Sequence, residues 1–220
     1  MSIEENKVVF ITAKKVGVLL SVALLLLLLV SCASQQPKEK GPQVLLILRE
    51  RIGSADNQYL VTNEVVVMKS MLEEAGFKVV IASASGRTFS RGAITLEPDL
   101  KLAEVKIADY VGFIIPCMSL GTSIVKPEEV AIAKQIVAKG KPVAAQRKGV
   151  VILAEAGVLA GKRYSYESNP TPNTLFDEAI YSGKGVVQDG NIITSAYCPY
   201  HGSLDQTVEL TQALIAGLQE

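Results

Sequence analysis

The sequence predicts an α/β fold: a mainly parallel sheet between two layers of helices, a three-layer sandwich. Three observations carry that expectation. Val44–Leu48 (VLLIL) and Tyr110–Ile115 (YVGFII) are continuous apolar runs, the mark of strands buried on both faces. Such runs alternate along the chain with segments of helical periodicity, as parallel sheets with crossover helices require. A tight hairpin signal, Asp189-Gly190, comes late, between two short apolar stretches.

Taken in order, Val44–Leu48 is the first strand. Asn57–Ala75 follows as a helix, with Leu60, Glu64, Val67, Met68, Met71 and Leu72 spaced by threes and fours and Gly76 at its C-terminal end. Val79–Ala82 is a strand, and Ser83–Ile94, rich in Ser, Gly and Arg, is a loop or short hairpin. Leu100–Val105 has weak helical character, and Tyr110–Ile115 is a strand stopped by Pro116. Pro127–Lys139 is a helix with Pro in its first turn, two acids early and Lys late, in accord with the helix dipole. Lys162–Glu167 predicts a short strand, Thr174–Tyr181 a short helix, and Gly185–Gln188 with Ile192–Ala196 the hairpin. Leu204–Leu218 is a closing amphipathic helix with Ser203 as its cap. No internal repeat is present, and ligands in such sheets bind at the carboxyl ends of the strands.

The chain has 220 residues, with 22 Lys and Arg against 22 Asp and Glu. A balanced charge gives no basic surface excess, so a nucleic-acid partner is not expected. The N-terminus stands apart. Lys7, Lys14 and Lys15 precede the apolar run Val16–Val30, which is too short for the ~20 residues of a membrane-spanning helix and fits a signal-peptide core. The run ends Leu29-Val30-Ser31-Cys32, which resembles the bacterial lipobox. That resemblance implies that residues 1–32 are a lipoprotein signal and that Cys32 is lipidated. The lipid membrane is then a partner, and the protein sits in the bacterial envelope facing the periplasm or cell exterior. An uncleaved membrane anchor is the plainer alternative. Residues 33–42 (ASQQPKEKGP) are polar with no apolar periodicity and read as a flexible tether. Residues 43–220 form the folded domain.

The most informative stretch is Lys141–Gly157 (KPVAAQRKGVVILAEAG). It reads as a buried strand (Pro142–Ala145), an abrupt turn (Gln146–Gly149) and a helix (Val150–Ala156), the shape of a nucleophile elbow. A Ser or Cys belongs at its point. Arg147 stands there, always protonated and no nucleophile.

The order of elements and five stretches (VLLIL, EEAGFKVVIAS, DYVGFIIP, KPVAAQRKGVVILAEAGVLAGKRYS and VVQDGNIITSA) resemble the ThiJ/PfpI family of the class I glutamine amidotransferase-like superfamily. The resemblance covers roughly residues 43–220 and implies a flavodoxin-like sandwich and a homodimer. Known members include deglycases, glyoxalase-like enzymes, peptidases and chaperone-like proteins. Carried over by position, the family's helix carboxylate matches Glu64 and its elbow cysteine falls on Arg147. Its Pro-Gly-Gly turn falls on Pro116-Cys117-Met118, and its post-elbow His, expected near Glu167–Asn169, is absent. An Arg147–Glu64 charge pair would replace the family's carboxyl–thiol contact, or Arg147 swings to solvent.

Cys117, Cys198 and His201, the only histidine, follow strands whose loops border the elbow in that family. Three readings are open: free semi-buried thiols; a disulfide, since an exported protein meets oxidising conditions; or chemistry, as a thiolate near Arg147 or, with no local ligand spacing, a zinc set. No metal is assigned and no cofactor is implied. Tyr164, Tyr166, Tyr197 and Tyr200 add aromatic surface near the same mouth or pack under loops. The reading favoured is a membrane-tethered domain without Cys-dependent catalysis, holding a small anionic ligand with Glu64, Arg147, Lys148, Cys117 and Cys198. The alternative is a divergent hydrolase or deglycase-like enzyme using Cys117 or Cys198, with His201 as a further catalytic candidate.

Overall fold

A computed structural model of the chain describes residues 41–50, 56–91, 94–117, 125–170 and 174–220. The expected signal segment, Cys32 and the tether up to residue 40 lie outside the described residues, as does Met118. The described residues fall in one compact unit.

Eleven strands are described. The main sheet has seven, in the order β10-β11-β7-β6-β1-β2-β5: Val186–Asp189, Ile192–Ser195, Val143–Gln146, Gly112–Ile115, Gln43–Leu48, Lys78–Ser83 and Leu100–Lys101. Every neighbouring pair is parallel except β10 with β11. The expected α/β sandwich with a mainly parallel sheet is therefore the observed one. β3 (Phe89–Arg91) and β4 (Ile94–Leu96) form a separate antiparallel hairpin. β8 (Arg163–Tyr164) and β9 (Ile180–Tyr181) form a small parallel pair.

The period-two alternation of the strands divides the core into two layers. Leu45, Ile47, Phe113, Ile115, Val143 and Ala145 face α2 (Pro127–Ala138) and α3 (Val150–Glu155). Val44, Leu46, Leu48, Ile114 and Ala144 face α1 (Asp56–Glu74) and α4 (Thr207–Gln219). Each large side chain buried this way contributes ~1.5–3 kcal/mol. This explains why the central strands are apolar without a break.

α1 has three parts. An α-helical Asp56–Leu60 passes into a π-helical turn, Val61–Val65, and returns to α-helix over Val66–Glu74. The Val66 N–H donates to the Val61 carbonyl, five residues back. Such a turn inserts one extra residue and rotates the side chains after it. The buried stripe therefore runs Leu60, Val61, Glu64, Val65, Met68, Leu72 rather than through Val67 and Met71.

Several boundaries differ from the sequence expectation for local reasons. Leu100–Val105 is not a helix: Leu100–Lys101 pairs with β2, and only Leu102–Glu104 turns, as a 3₁₀ turn. Thr174–Tyr181 holds a 3₁₀ turn, Thr174–Phe176, and then β9. The hairpin loop is Gly190-Asn191, one residue later than Asp189-Gly190, because Asp189 pairs with Ile192. Gly190 takes the left-handed conformation (φ 61°) such a loop needs. The last helix begins at Thr207, not Leu204. Pro199–Leu204 is a 3₁₀ segment broken at Gly202, and Asp205 Oδ1 accepts from the Thr207 N–H at 3.1 Å and its hydroxyl at 2.7 Å.

Candidate functional site

The chain leaves β1 toward β2 on one side and returns to β6 on the other, so the topological switch point lies at the carboxyl ends of β1 and β6. Arg49, Cys117, Arg147 and Cys198 follow the ends of β1, β6, β7 and β11 respectively. The parallel sheet thus gathers these residues at one edge.

The elbow is built by β7, a 3₁₀ turn Arg147–Gly149 and α3. Arg147 has φ 42° and, among the described residues, no other non-glycine has positive φ. The left-handed conformation costs an L-residue about 1–2 kcal/mol, so it is kept only where the surroundings impose it. The tight packing of Gly149 is part of those surroundings. A Cβ at Gly149 would lie 2.5 Å from the Ile115 carbonyl oxygen and 3.0 Å from that of Pro116. The turn presses directly against the end of β6, and only glycine allows that approach.

Arg147 is paired with Glu167. Its Nε and Nη2 both donate to Glu167 Oε2, at 2.8 and 2.5 Å. Lys148 Nζ donates to the other carboxylate oxygen at 3.3 Å and to the Tyr166 hydroxyl at 3.1 Å, with its ammonium 5.4 Å from the centre of the Tyr166 ring. Burial works to lower the Arg147 pKa, but the bond to Glu167 and the nearby Cys117 and Cys198 outweigh it and raise it. Lys148 is likewise raised, by Tyr166 and Glu167 against burial. Burial would raise Glu167, yet the two cations hold its carboxyl below the ordinary value. The carboxylate that meets Arg147 is thus Glu167, at the position where the post-elbow His was expected.

Glu64 has a different task. It is fully buried, and its Oε1 accepts from the Cys117 N–H at 2.6 Å. Cys117 and Cys198 form no disulfide and are fully buried in the same apolar cluster. The influence of Cys117, burial and the nearby Glu64 push the Cys198 thiol up. Cys198 opens the Pro199–Leu204 segment, which brings His201 back over it: Nδ1 lies 3.8 Å from Cys198 Sγ, and Nε2 lies 4.0 Å from Glu167 Oε2. Among the described residues no three His, Cys, Asp or Glu side chains are arranged to hold a metal ion.

Gln146 fastens this loop to the elbow. Fully buried at the end of β7, its Nε2 donates to the Tyr197 carbonyl at 2.7 Å and to the Thr207 hydroxyl at 3.1 Å. Sequence reasoning missed Gln146, Glu167 and Arg49. A polar residue ending an apolar strand just before a turn was the available signal for Gln146. Of the four tyrosines, Tyr166 lies under Lys148 and Tyr197 packs against His201 (4.8 Å between ring centres). Tyr200 packs on Tyr59, whereas Tyr164 stacks on Phe176 in the core, away from the mouth.

The fold and this site define a flavodoxin-like α/β domain with a strained strand–turn–helix elbow at the carboxyl edge of its sheet. Residues 57–208 match the DJ-1/PfpI family, and the chain belongs to that family. An uncharacterized protein of Archaeoglobus fulgidus is 32% identical over 126 residues, 56% of this chain and 75% of its own length. A deglycase of Pyrococcus abyssi is 30% identical over 139 residues, 60% of this chain and 81% of its own. The crystal structure of a ThiJ/PfpI domain protein from Brachyspira murdochii superposes with a TM-score of 0.64 at 21% identity. It covers 82% of this chain and 98% of that one.

Proposed function

We propose that this is a DJ-1/PfpI domain without Cys-dependent elbow chemistry, tethered to a membrane and binding a small anion beside Arg147. The observation that carries the reading is Arg147 itself, at the one non-glycine left-handed position among the described residues and ion-paired to Glu167. The elbow tip is where this fold presents a nucleophile, and a guanidinium cannot act as one. Arg147 and Lys148 bring two cations against the single carboxylate of Glu167. The excess positive charge, partly buried, suits a carboxylate or phosphate.

The test is calorimetric titration with inorganic phosphate, citrate and lactate as probes. At least one binds the wild-type chain, and Arg147→Ala weakens it at least tenfold. Binding unchanged by that substitution, or absent for all probes, sinks the anion reading.

The tether rests on Lys7, Lys14, Lys15, the Val16–Val30 run and the Leu-Val-Ser-Cys sequence ending at Cys32. Lipid attached to a cysteine, with more than one chain, anchors stably. Labelled palmitate enters the wild-type chain, and Cys32→Ala abolishes both label and membrane retention. The resemblance to the family also supports a homodimer, which light scattering of the detergent-solubilised chain measures.

A second reading, a divergent hydrolase or a deglycase like the archaeal relatives, is favoured by one observation: His201 lies between Cys198 and Glu167, at 3.8 and 4.0 Å. Against it, both cysteines are buried and the Cys198 thiol is pushed up, away from the thiolate a nucleophile needs. Iodoacetamide labelling of native Cys198 faster than a model thiol near neutral pH would favour this reading over the first.

A further inference from the structure

Building on the anion reading above, we propose that Glu167 is the internal ligand of that site: its carboxylate fills the place that a small free carboxylate takes, and the free carboxylate binds by displacing it. Glu167 engages the elbow with both oxygens, as an incoming carboxylate would. Oε2 accepts from Arg147 Nε at 2.8 Å and Nη2 at 2.5 Å, and Oε1 accepts from Lys148 Nζ at 3.3 Å. His201 Nε2 lies 4.0 Å from Oε2, from the segment that follows β11. Side chains of the elbow turn and of that segment thus border one carboxylate.

The two sides of the pair are held unequally. Arg147 is set by its left-handed backbone, on a turn whose Gly149 packs against the Ile115 and Pro116 carbonyls. Arg49 Nη1 pins the same turn by donating to the Lys148 carbonyl at 3.1 Å. Lys148 Nζ also donates to the Tyr166 hydroxyl at 3.1 Å, a partner it keeps when the carboxylate leaves. The cations are therefore positioned without Glu167.

Glu167 itself lies in a bend with Ser168. The chain before it is fastened by the Ser165 N–H, which donates to the Thr194 hydroxyl at 2.8 Å, and by the Tyr166 N–H, which donates to the Gly183 carbonyl at 3.2 Å. Glu167 is the next residue, so turning the bend withdraws its carboxylate without breaking either bond. Arg147, Lys148 and Glu167 are all partly exposed, and ion pairs with solvent access are weak. A ligand that brings the same group to donors already in place has only the intramolecular advantage of Glu167 to overcome. The ligand class follows from the occupant: a carboxylate satisfies both cations, and a neutral amide brings them no charge.

The experiment titrates the full chain in detergent with lactate, and with its neutral amide lactamide, using wild type, Glu167→Asp and Glu167→Gln. An internal competitor that fills a site about nine-tenths of the time weakens an outside ligand about tenfold. Lactate is therefore expected to bind both variants about tenfold more tightly than wild type, and lactamide to bind none of the three. Glu167→Asp is the deciding variant, because it keeps the negative charge and only shortens its reach. Hydrogen exchange at residues 166–169 should quicken as lactate saturates the wild-type chain, since Glu167 then loses its anchor. A gain in Glu167→Gln with none in Glu167→Asp, or slower exchange at these residues on binding, would mean that lactate adds beside Glu167. Either result overturns the displacement and leaves the anion reading standing. Lactate binding to none of the three forms overturns both.

Discussion

Two arginines follow the ends of the strands on either side of β6 and meet two carboxylates, with opposite outcomes. Arg49, after β1, lies 3.7 Å from Glu129, with both side chains 4% exposed. Arg147, after β7, is bonded to Glu167 with 17% and 26% exposure. Burial dominates at Glu129 and raises its pKa, in spite of its bond from the Lys126 N–H and the charge of Arg49. At Glu167 the cations win and the pKa falls. Arg49 also donates to the Lys148 carbonyl at 3.1 Å, so the closed pair braces the turn that displays the open one. The same chemical pair serves as a support in one place and as presented charge in the other, and solvent access makes the difference.

The comparison breaks most sharply at Arg49. Arg49→Ala leaves the Glu129 carboxylate buried with its cation removed, so denaturant unfolding is expected to show a loss of about 3–5 kcal/mol. Arg147→Ala, at the more open pair, is expected to cost less than a third of that. Gly149→Ala comes next. Its Cβ would meet the backbone oxygens of Ile115 and Pro116, which cannot rotate away. A loss of about 2–3 kcal/mol in the same assay is expected, close to the upper range for overpacking.

Strain at the elbow gives a smaller, signed effect. Arg147→Gly relieves the left-handed backbone while losing the same ion pair as Arg147→Ala. The glycine variant should therefore be the more stable of the two by about 1 kcal/mol. Equal stabilities would mean that the turn relaxes in the alanine variant.

The smallest effect is in pH. Glu167 has a lowered pKa in the folded chain, so its pairing stabilises above the ordinary carboxyl range and fades as pH falls through the folded value, below about 4.5. The stability gap between wild type and Glu167→Gln should be flat above about pH 5 and close below it, and stay under ~1 kcal/mol because the site is partly open. Glu129 has the opposite sign. Its raised pKa favours the folded chain at acid pH, and that contribution is lost as pH rises from about 4.5 through the folded value. A pH series on Glu129→Gln and Glu167→Gln should show the two gaps moving in opposite directions.

The parts of this fold visible in the sequence are those written in one-dimensional periodicity. Val44–Leu48 and the Pro127 helix are local patterns, and they fall within one residue of the observed elements. The elbow was visible because strand, turn and helix are contiguous. Its electrostatic partner was not. Glu167 lies 20 residues from Arg147, in a segment with no regular pattern, and the two meet only through the fold. Glu64 was legible as a helix carboxylate, but its bond to the Cys117 N–H depends on the π turn, and no propensity marks a π turn in this helix. The placing of Cys117 and Cys198 on the two sides of the elbow is likewise a product of strand order, since β6 and β11 flank β7.

The strand order also has a mechanical consequence. The chain enters the domain at residue 43, directly into β1, which lies between β6 and β2 rather than at an edge. A pull on the N-terminus along the strand therefore loads the β1–β2 and β1–β6 ladders in shear, with their hydrogen bonds strained together. An edge strand under the same pull would peel one bond at a time. Under the proposed tether, the point of attachment is a strand paired on both sides.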